Sequence, residues 1–404
     1  MGELGNRPRP LEGLRIADFS RVVAGPACTR WLADLGAEVI KLEPPEGDLT
    51  RKIKPRRAGI SIYFSQVNCG KSCICVDLGQ AEGRRIAREL ALSSDVVVEN
   101  FRPGVMARLG LGPDELRAER PELVYCSISG YGQDGPAAQR RAYAPVVHAE
   151  AGLLDLAARA RGIDPMPEPV SHADFAVASQ ATSAVLAALF WRERTGEGQH
   201  IDVSMAETML AHMEWSAIEA NGGPGDEVPI VNPARATIVR LADGSHVQLP
   251  GNPAATFPTM CRLMGRDDLL EKPGFTTLDE RASHIEEIDE IVREWAVSFP
   301  DLPAFEAFVG RERVAVGAVK RLGDLPAEDW AVARGAFAPV ADGAGGDVLL
   351  PFSPLRFSGL DVGVRGRPAY QGEHNREVLA RVLGLGAEDL DRLEAAGVLV
   401  SRRP

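Results

Sequence analysis

The segment Ala173-Asp174-Phe175-Ala176 opens the long apolar stretch Phe175–Trp191, and a carboxylate placed there has two possible uses. It can cap a helix by accepting backbone N–H bonds. Alternatively, the positive end of the helix can keep it ionised as a nucleophile. The local sequence leaves both open. His172, two residues earlier, reads as a loop or supporting imidazole rather than a general base. Cys28 falls near an expected helix start but has no base beside it, so it reads as a small buried apolar residue. Cys69, Cys73 and Cys75 lack the second pair or nearby His of a zinc site, and the alternation in Ser72-Cys73-Ile74-Cys75 reads as a buried strand. No metal is expected. The run Arg51-Lys52-Ile53-Lys54-Pro55-Arg56-Arg57 concentrates cations in a chain of formal charge −12. It suits either a small polyanionic ligand or a solvated loop.

These residues need elements to hold them. Leu14–Phe19 is a short apolar run suited to a strand, Ala24-Gly25-Pro26 a turn, Ala27–Leu35 a helix ended by Gly36, and Glu38–Glu43 the next strand; together they form a β-α-β unit. Ser72–Leu78, Asp95–Glu99 and Leu123–Ser129 are further strands and Glu82–Leu92 a helix. The expected fold class is therefore α/β, with a mostly parallel sheet covered on both faces. No G-x-G-x-x-G follows the first strand, which argues against NAD or FAD. Phe175–Trp191 is an expected buried helix and His200–Ser204 a strand, with Asn221-Gly222-Gly223-Pro224-Gly225 the best linker. Beyond it, a hairpin about Ala242–Ser245 and helices at 284–298 and 303–309 make a smaller α+β domain. The expected division is 1–220, 226–330 and a C-terminal segment 335–404. The acidic balance disfavours nucleic acid as a partner. No uninterrupted apolar run approaches the ~18 residues of a membrane span, the N-terminus lacks a secretory signal, and six sparse cysteines point to a reducing compartment. A soluble, cytoplasmic protein is expected.

Leu14-Arg15-Ile16-Ala17-Asp18-Phe19, then Val22 and Ala24-Gly25-Pro26, followed by Leu35-Gly36-Ala37-Glu38-Val39-Ile40-Lys41-Leu42-Glu43, resemble the opening of the class III CoA-transferases, the CaiB/BaiF or formyl-CoA transferase family. Asn68–Ser72, Asp95–Gly104, Ser129–Gly132, Arg194–Gln199 and Gly372–Asn375 resemble that family's blocks in its order, across nearly the whole chain. The resemblance implies a Rossmann-like large domain with a small domain inserted, in an interlocked homodimer. It implies that coenzyme A is moved from an acyl-CoA thioester to a small carboxylic acid through aspartyl anhydride and aspartyl-CoA thioester intermediates, with no permanently bound cofactor. It places the nucleophile at Asp174 and oxyanion-stabilising backbone N–H groups at Val23 and Ala24. CoA-binding roles fall to Asn100, Phe101, Arg108, Lys71 and Arg141, which supply cations and a flat apolar contact.

This chain also departs from the family pattern. Val23 stands where a Gln is common, Tyr143-Ala144 where Tyr-Asp is common, and His148 where a Gln is common. The principal alternative is an α-methylacyl-CoA racemase of the same fold, but such racemases carry Gly-His-Asp at the segment corresponding to Tyr143-Ala144. A non-catalytic acyl-CoA binding protein is the alternative from another class.

Overall fold

The structure, a computed structural model, describes residues 7–223 and 236–402; Pro224 and Gly225 of the expected linker lie outside this range. The chain divides into two compact units. One comprises Met1–Ala151, Glu168–His212 and Glu328–Pro404; the other comprises Gly152–Pro167 and Met213–Ala327. The excursion Gly152–Pro167, which the sequence leaves inside the N-terminal block, joins the second unit because helix Leu153–Arg161 is tied there by Arg159, paired to Glu219 at 2.9 Å.

In the first unit the strands are β1 (Arg15–Asp18), β2 (Glu38–Glu43), β3 (Arg56–Arg57), β4 (Ile60–Ser61), β5 (Ser72–Cys75), β6 (Val96–Glu99), β7 (Val124–Ser129) and β8 (His200–Ser204). β3 and β4 form a small antiparallel pair. The other six make one parallel sheet in the order β5-β2-β1-β6-β7-β8. Counted within that sheet alone, this is the 3-2-1-4-5-6 order of doubly wound nucleotide-binding folds, with its switch point between β1 and β6. Every residue of β6 and β7 is buried, as expected of central strands covered on both faces.

Helix Ala24–Asp34 begins three residues earlier than its periodicity suggests. Ala24-Gly25-Pro26 is its first turn rather than a separate one, since the missing N–H of Pro26 costs nothing where no intrahelical acceptor exists. Gly25 is required there, because a Cβ would fall 2.2 Å from the Ser20 Cβ. Helix His172–Thr195 is long and apolar enough by composition to cross a membrane. Its buried face, Ala173, Val177, Ala178, Ala181, Val185, Ala188 and Leu189, is instead that of a core helix, small side chains letting it pack on helix Ala24–Asp34. The C-terminal segment returns to this unit: Val378, Leu379, Leu390, Leu393 and Leu399 share a core with Ile40, Ile74 and Val97. A hairpin of Phe337–Ala341 and Asp347–Pro351 has no counterpart in the sequence reading. Its prolines obscure the alternation that buries Val340, Val348 and Leu350.

The second unit is α+β. Strands Ile238–Arg240, His246–Gln248 and Gly317–Ala318 form an antiparallel sheet. Helices Pro253–Met264, Ile285–Ala296 and Leu302–Val309 close a core that includes Phe257, Phe275 and Phe305.

Candidate active site

In open parallel sheets ligands bind beyond the carboxyl ends of the strands, at the switch point, and the first unit has a cavity of about 370 Å³ there. It is lined by the turn after β1 (Arg21–Ala24), the turn after β6 (Asn100–Pro103), the end of β7 (Ile128–Gly130), and Arg140, Arg141, Tyr143 and Asp174.

A buried ionic framework holds the first of these turns. Asp18, at the end of β1, accepts bonds from the Ser20 amide (2.9 Å), the Ser20 hydroxyl, the Thr29 hydroxyl (2.7 Å) and Lys71 Nζ (3.0 Å). Burial acts to raise its pKa, but Lys71 and Lys41, with the two hydroxyls, overcome it and bring the carboxyl to about 2. Lys41 pairs with Asp48 at 3.1 Å and donates to the Ser20 carbonyl at 2.7 Å, while Asp48 accepts the Val22 amide at 3.2 Å. On the other side, Asn100 accepts the Arg21 amide (2.7 Å) and donates to the Arg21 carbonyl (2.8 Å). So clamped, Val22 sits at φ 68, a left-handed conformation that is strained for a β-branched residue and persists only where the surroundings dictate it. The turn presents Val23, the N-cap residue, and Ala24, the first helical residue, whose N–H has no acceptor within the helix.

Across the cavity, Ser171 is the N-cap of the long helix and Asp174 its third residue. Asp174 therefore does not cap. Its carboxylate has no hydrogen-bond partner among the described residues, and burial alone pushes its pKa up to about 6. It remains ionised at neutral pH. Burial, and then Asp174, also push up the phenol of Tyr63. The Asp174 turn is held by His148, which is 1% exposed and accepts the Ala173 amide on Nε2 at 3.1 Å. His148 thereby satisfies one of the orphan N–H groups at that helix end.

Of the residues singled out from sequence, the structure brings Asp174, Val23, Ala24, Asn100, Phe101 and Arg141 together around one cavity. Lys71 and Arg108 do not line it. Lys71 is buried behind the turn, bonding Asp18, Pro26 O, Thr29 and Asn68 at 2.7–3.0 Å, so no donor remains for a ligand. Burial lowers its pKa to about 8 in spite of Asp18, with Lys41 adding to the fall. Arg108 ends the short helix Val105–Arg108 and is exposed. Within the basic run, Arg51 is committed to structure. It grips Glu43 (2.6 and 2.7 Å) and lies over Phe64, whereas Lys52, Lys54, Arg56 and Arg57 are exposed. All six cysteines are buried and unpaired, and Cys28 is pushed up to about 12 by burial, which makes it inert as a thiolate. Among the described residues no cluster of His, Cys, Asp and Glu could hold a metal. Arg21, Arg102 and Arg140 also line the cavity. Arg21 and Arg102 could have been singled out by their places in the turns after β1 and β6, while Arg140 carries no comparable signal.

The sequence profile described as CoA-transferase family III matches residues 11–375. The chain belongs to CoA-transferase family III. It is 32% identical to a formyl-CoA:oxalate CoA-transferase of Streptomyces avermitilis over 97% of this chain and all of that one (100%). It is also 32% identical to the human succinyl-CoA:glutarate CoA-transferase, over 98% of this chain and 91% of the relative. A solved CAIB/BAIF family protein from Brucella suis superposes with a TM-score of 0.79 at 30% identity, covering 93% of this chain and 100% of that one. The protein is accordingly an enzyme of the transferase class, with an acyl-CoA substrate and the class III CoA-transferase fold.

Proposed function

We propose that this enzyme transfers coenzyme A between two carboxylic acids by covalent catalysis at Asp174. The observation that carries the reading is the unpaired, half-buried carboxylate of Asp174 facing the same cavity as the free amide end of helix Ala24–Asp34. An Asp174 oxygen attacks the thioester carbonyl carbon, the C–S bond breaks, and a mixed anhydride and CoA thiolate result. The thiolate attacks the Asp174 carbonyl, releasing the donor acid and leaving an aspartyl-CoA thioester. The acceptor carboxylate then displaces the thiolate to form a second anhydride. The thiolate attacks the acceptor's carbonyl, giving the new acyl-CoA and restoring Asp174. No step needs a proton. Each attack builds negative charge on oxygen, for which the Val23 and Ala24 amides are the donors.

Asn100, Phe101 and Arg141 serve coenzyme A; Lys71 supports the turn from behind, and Arg108 is exposed at the end of its helix, outside the cavity lining. Asp174 is the only acid among the cavity's lining residues, against Arg21, Arg102, Arg140 and Arg141. This charge suits anionic partners, the phosphates of coenzyme A as well as dicarboxylic acids, in keeping with the relatives named for oxalate and glutarate. The adjacent exposed Phe190 and Trp191, 66% and 45%, accord with a homodimer whose partner covers them, checked by sedimentation; the unpaired cysteines accord with a cytoplasmic location.

Racemisation is the weaker reading. It needs an imidazole free to take a proton, and the His148 Nε2 lone pair is occupied by the Ala173 amide. To test the assignment, the protein is incubated with a panel of acyl-CoA thioesters and hydroxylamine, and its peptides are mapped by mass spectrometry. A hydroxamate at Asp174 is expected with the true donor. Unmodified protein together with deuterium uptake at the thioester α-carbon would overturn the reading in favour of the racemase.

A further inference from the structure

The Asp174 cavity opens beside a second one of about 280 Å³, and the two share only Arg21 and Phe101 among their lining residues. The guanidinium of Arg21 lies over the Phe101 ring, 5.2 Å from its centroid. Its backbone is fixed by the reciprocal bonds to Asn100, and its donors are nearly idle. Nε is buried without a hydrogen-bond partner. Among the described residues the carboxylate within ion-pair reach of its guanidinium is Glu46, 3.7 Å away and 64% exposed, too far for a hydrogen bond and too wet for a strong ion pair. Arg140, by contrast, is already engaged by Glu150 and stacked on Tyr131.

The position of Arg21 is as informative as its idleness. In sheets of this strand order the turn after the first strand is where a pyrophosphate is held, normally by close approach of a glycine-rich backbone. Here that turn carries no such glycines; it is strained at Val22 and projects a guanidinium. A guanidinium is the side chain whose fork of donors matches phosphate oxygens. Beyond Arg21 the second cavity is walled by Phe19, Leu42, Leu78 and Leu109 and contains Glu46 and Asp77 but no other cation, so the diphosphate has no cationic partner deeper in. Coenzyme A carries its diphosphate between the pantetheine arm that ends in the thioester and the adenosine, which is the order in which a cation between two cavities would meet it.

We propose that Arg21 is the diphosphate-binding residue of the acyl-CoA site, taking the 5′-diphosphate at the junction of the two cavities. The inference rests on the reading that the thioester is delivered to Asp174, but it is tested by equilibrium binding, which needs no turnover. Arg21→Met and Arg21→Lys proteins, first shown by circular dichroism and thermal melting to be folded, are titrated calorimetrically with CoA and with dephospho-CoA, which keeps the diphosphate and lacks the 3′-phosphate. Arg21→Met is expected to weaken both ligands by the same factor, at least tenfold, and Arg21→Lys by a smaller factor for both. In steady state, Arg21→Met should raise KM for acyl-CoA with kcat within threefold, equally for monocarboxylic and dicarboxylic acyl groups.

Unchanged CoA affinity in Arg21→Met overturns the proposal. So does a loss seen with CoA but not dephospho-CoA, which would assign Arg21 to the 3′-phosphate. A loss confined to dicarboxylic acyl-CoAs, with free CoA unaffected, would place it on the acyl carboxylate instead. Failure to trap Asp174 with hydroxylamine, combined with a tenfold loss of affinity for both CoA ligands, would leave Arg21 standing and remove only the covalent mechanism.

Discussion

Asp18 and Asp174 are the same residue type within one unit, and their surroundings drive them in opposite directions. Asp18 is fully buried, yet two lysines and two hydroxyls bring it down to about 2. Asp174 is less buried, has no partner, and rises to about 6. Burial raises both; what differs is compensation by opposite charge. The framework spends its carboxylate on holding the turn after β1, and the site keeps its own uncommitted, so that its lone pairs are available to a substrate. Uncompensated burial at a functional position is the usual trade of stability for activity, and the contrast can be broken from either side.

Removing the free carboxylate should have the largest effect. Asp174→Ala is expected to lower turnover by about 10³-fold or more while CoA affinity changes little, since a lost nucleophile removes a transition-state role rather than a binding one. Retention of even a tenth of wild-type transfer would end the assignment. Removing the compensated one should instead cost stability. Asp18→Asn leaves Lys71 and Lys41 short of a counter-charge in the interior, and a loss of about 3 kcal/mol is expected, measured as a shift of the denaturant midpoint at constant m-value. A midpoint within error of wild type would show that the framework is not ionic in effect.

The pH dependence sharpens the same contrast. With Asp174 at about 6, kcat/KM should fall about tenfold per pH unit below that value, whereas the Asp18 contribution, its folded pKa being depressed, is present above the unfolded value and is lost only as pH falls towards 2. A flat activity profile from pH 7 to pH 5 would contradict the raised Asp174 value. A smaller effect is expected at the support of the Asp174 turn. His148→Leu orphans the Ala173 amide and should cost about 1–2 kcal/mol, with a fall in kcat of a few-fold. His148→Gln, whose side-chain oxygen can accept the same amide, should restore both; equal damage from the two variants would mean that volume, not the hydrogen bond, matters. The smallest shift is a gain. Asp174→Asn removes a charge whose folded pKa is raised, so it should stabilise the fold by ~1 kcal/mol at pH 8, and by nothing at pH values below the unfolded carboxyl.

Much of this arrangement was legible in the sequence. Continuous apolar runs such as Val96-Val97-Val98 and the spacing of helix and strand gave the parallel α/β class, and the family blocks pointed to Asp174, Val23, Ala24, Asn100, Phe101 and Arg141. Lys71 shows where that reading stops. Its position in a family block says nothing about whether its ammonium faces a ligand or, as here, Asp18. The hairpin at Phe337–Ala341 and the excursion of Gly152–Pro167 escaped for a related reason, because each depends on a distant partner and leaves only a weak local pattern.

The sequence by itself determined which elements form, since their periodicity, glycines and prolines are local properties of neighbouring residues. It also supplied the chemical groups. Only the tertiary structure decided which of those groups are consumed and which are left free. Lys71, Asp18, Lys41 and Asp48 satisfy one another, although Lys71 and Asp18 are 53 residues apart, while Asp174 reaches the cavity with no hydrogen-bond partner among the described residues and Arg21 with only the distant, exposed Glu46 as an ion-pair partner. The physical reason is that ionisation and hydrogen bonding depend on burial and on the nearest charge in space, and neither quantity is fixed until the chain has folded.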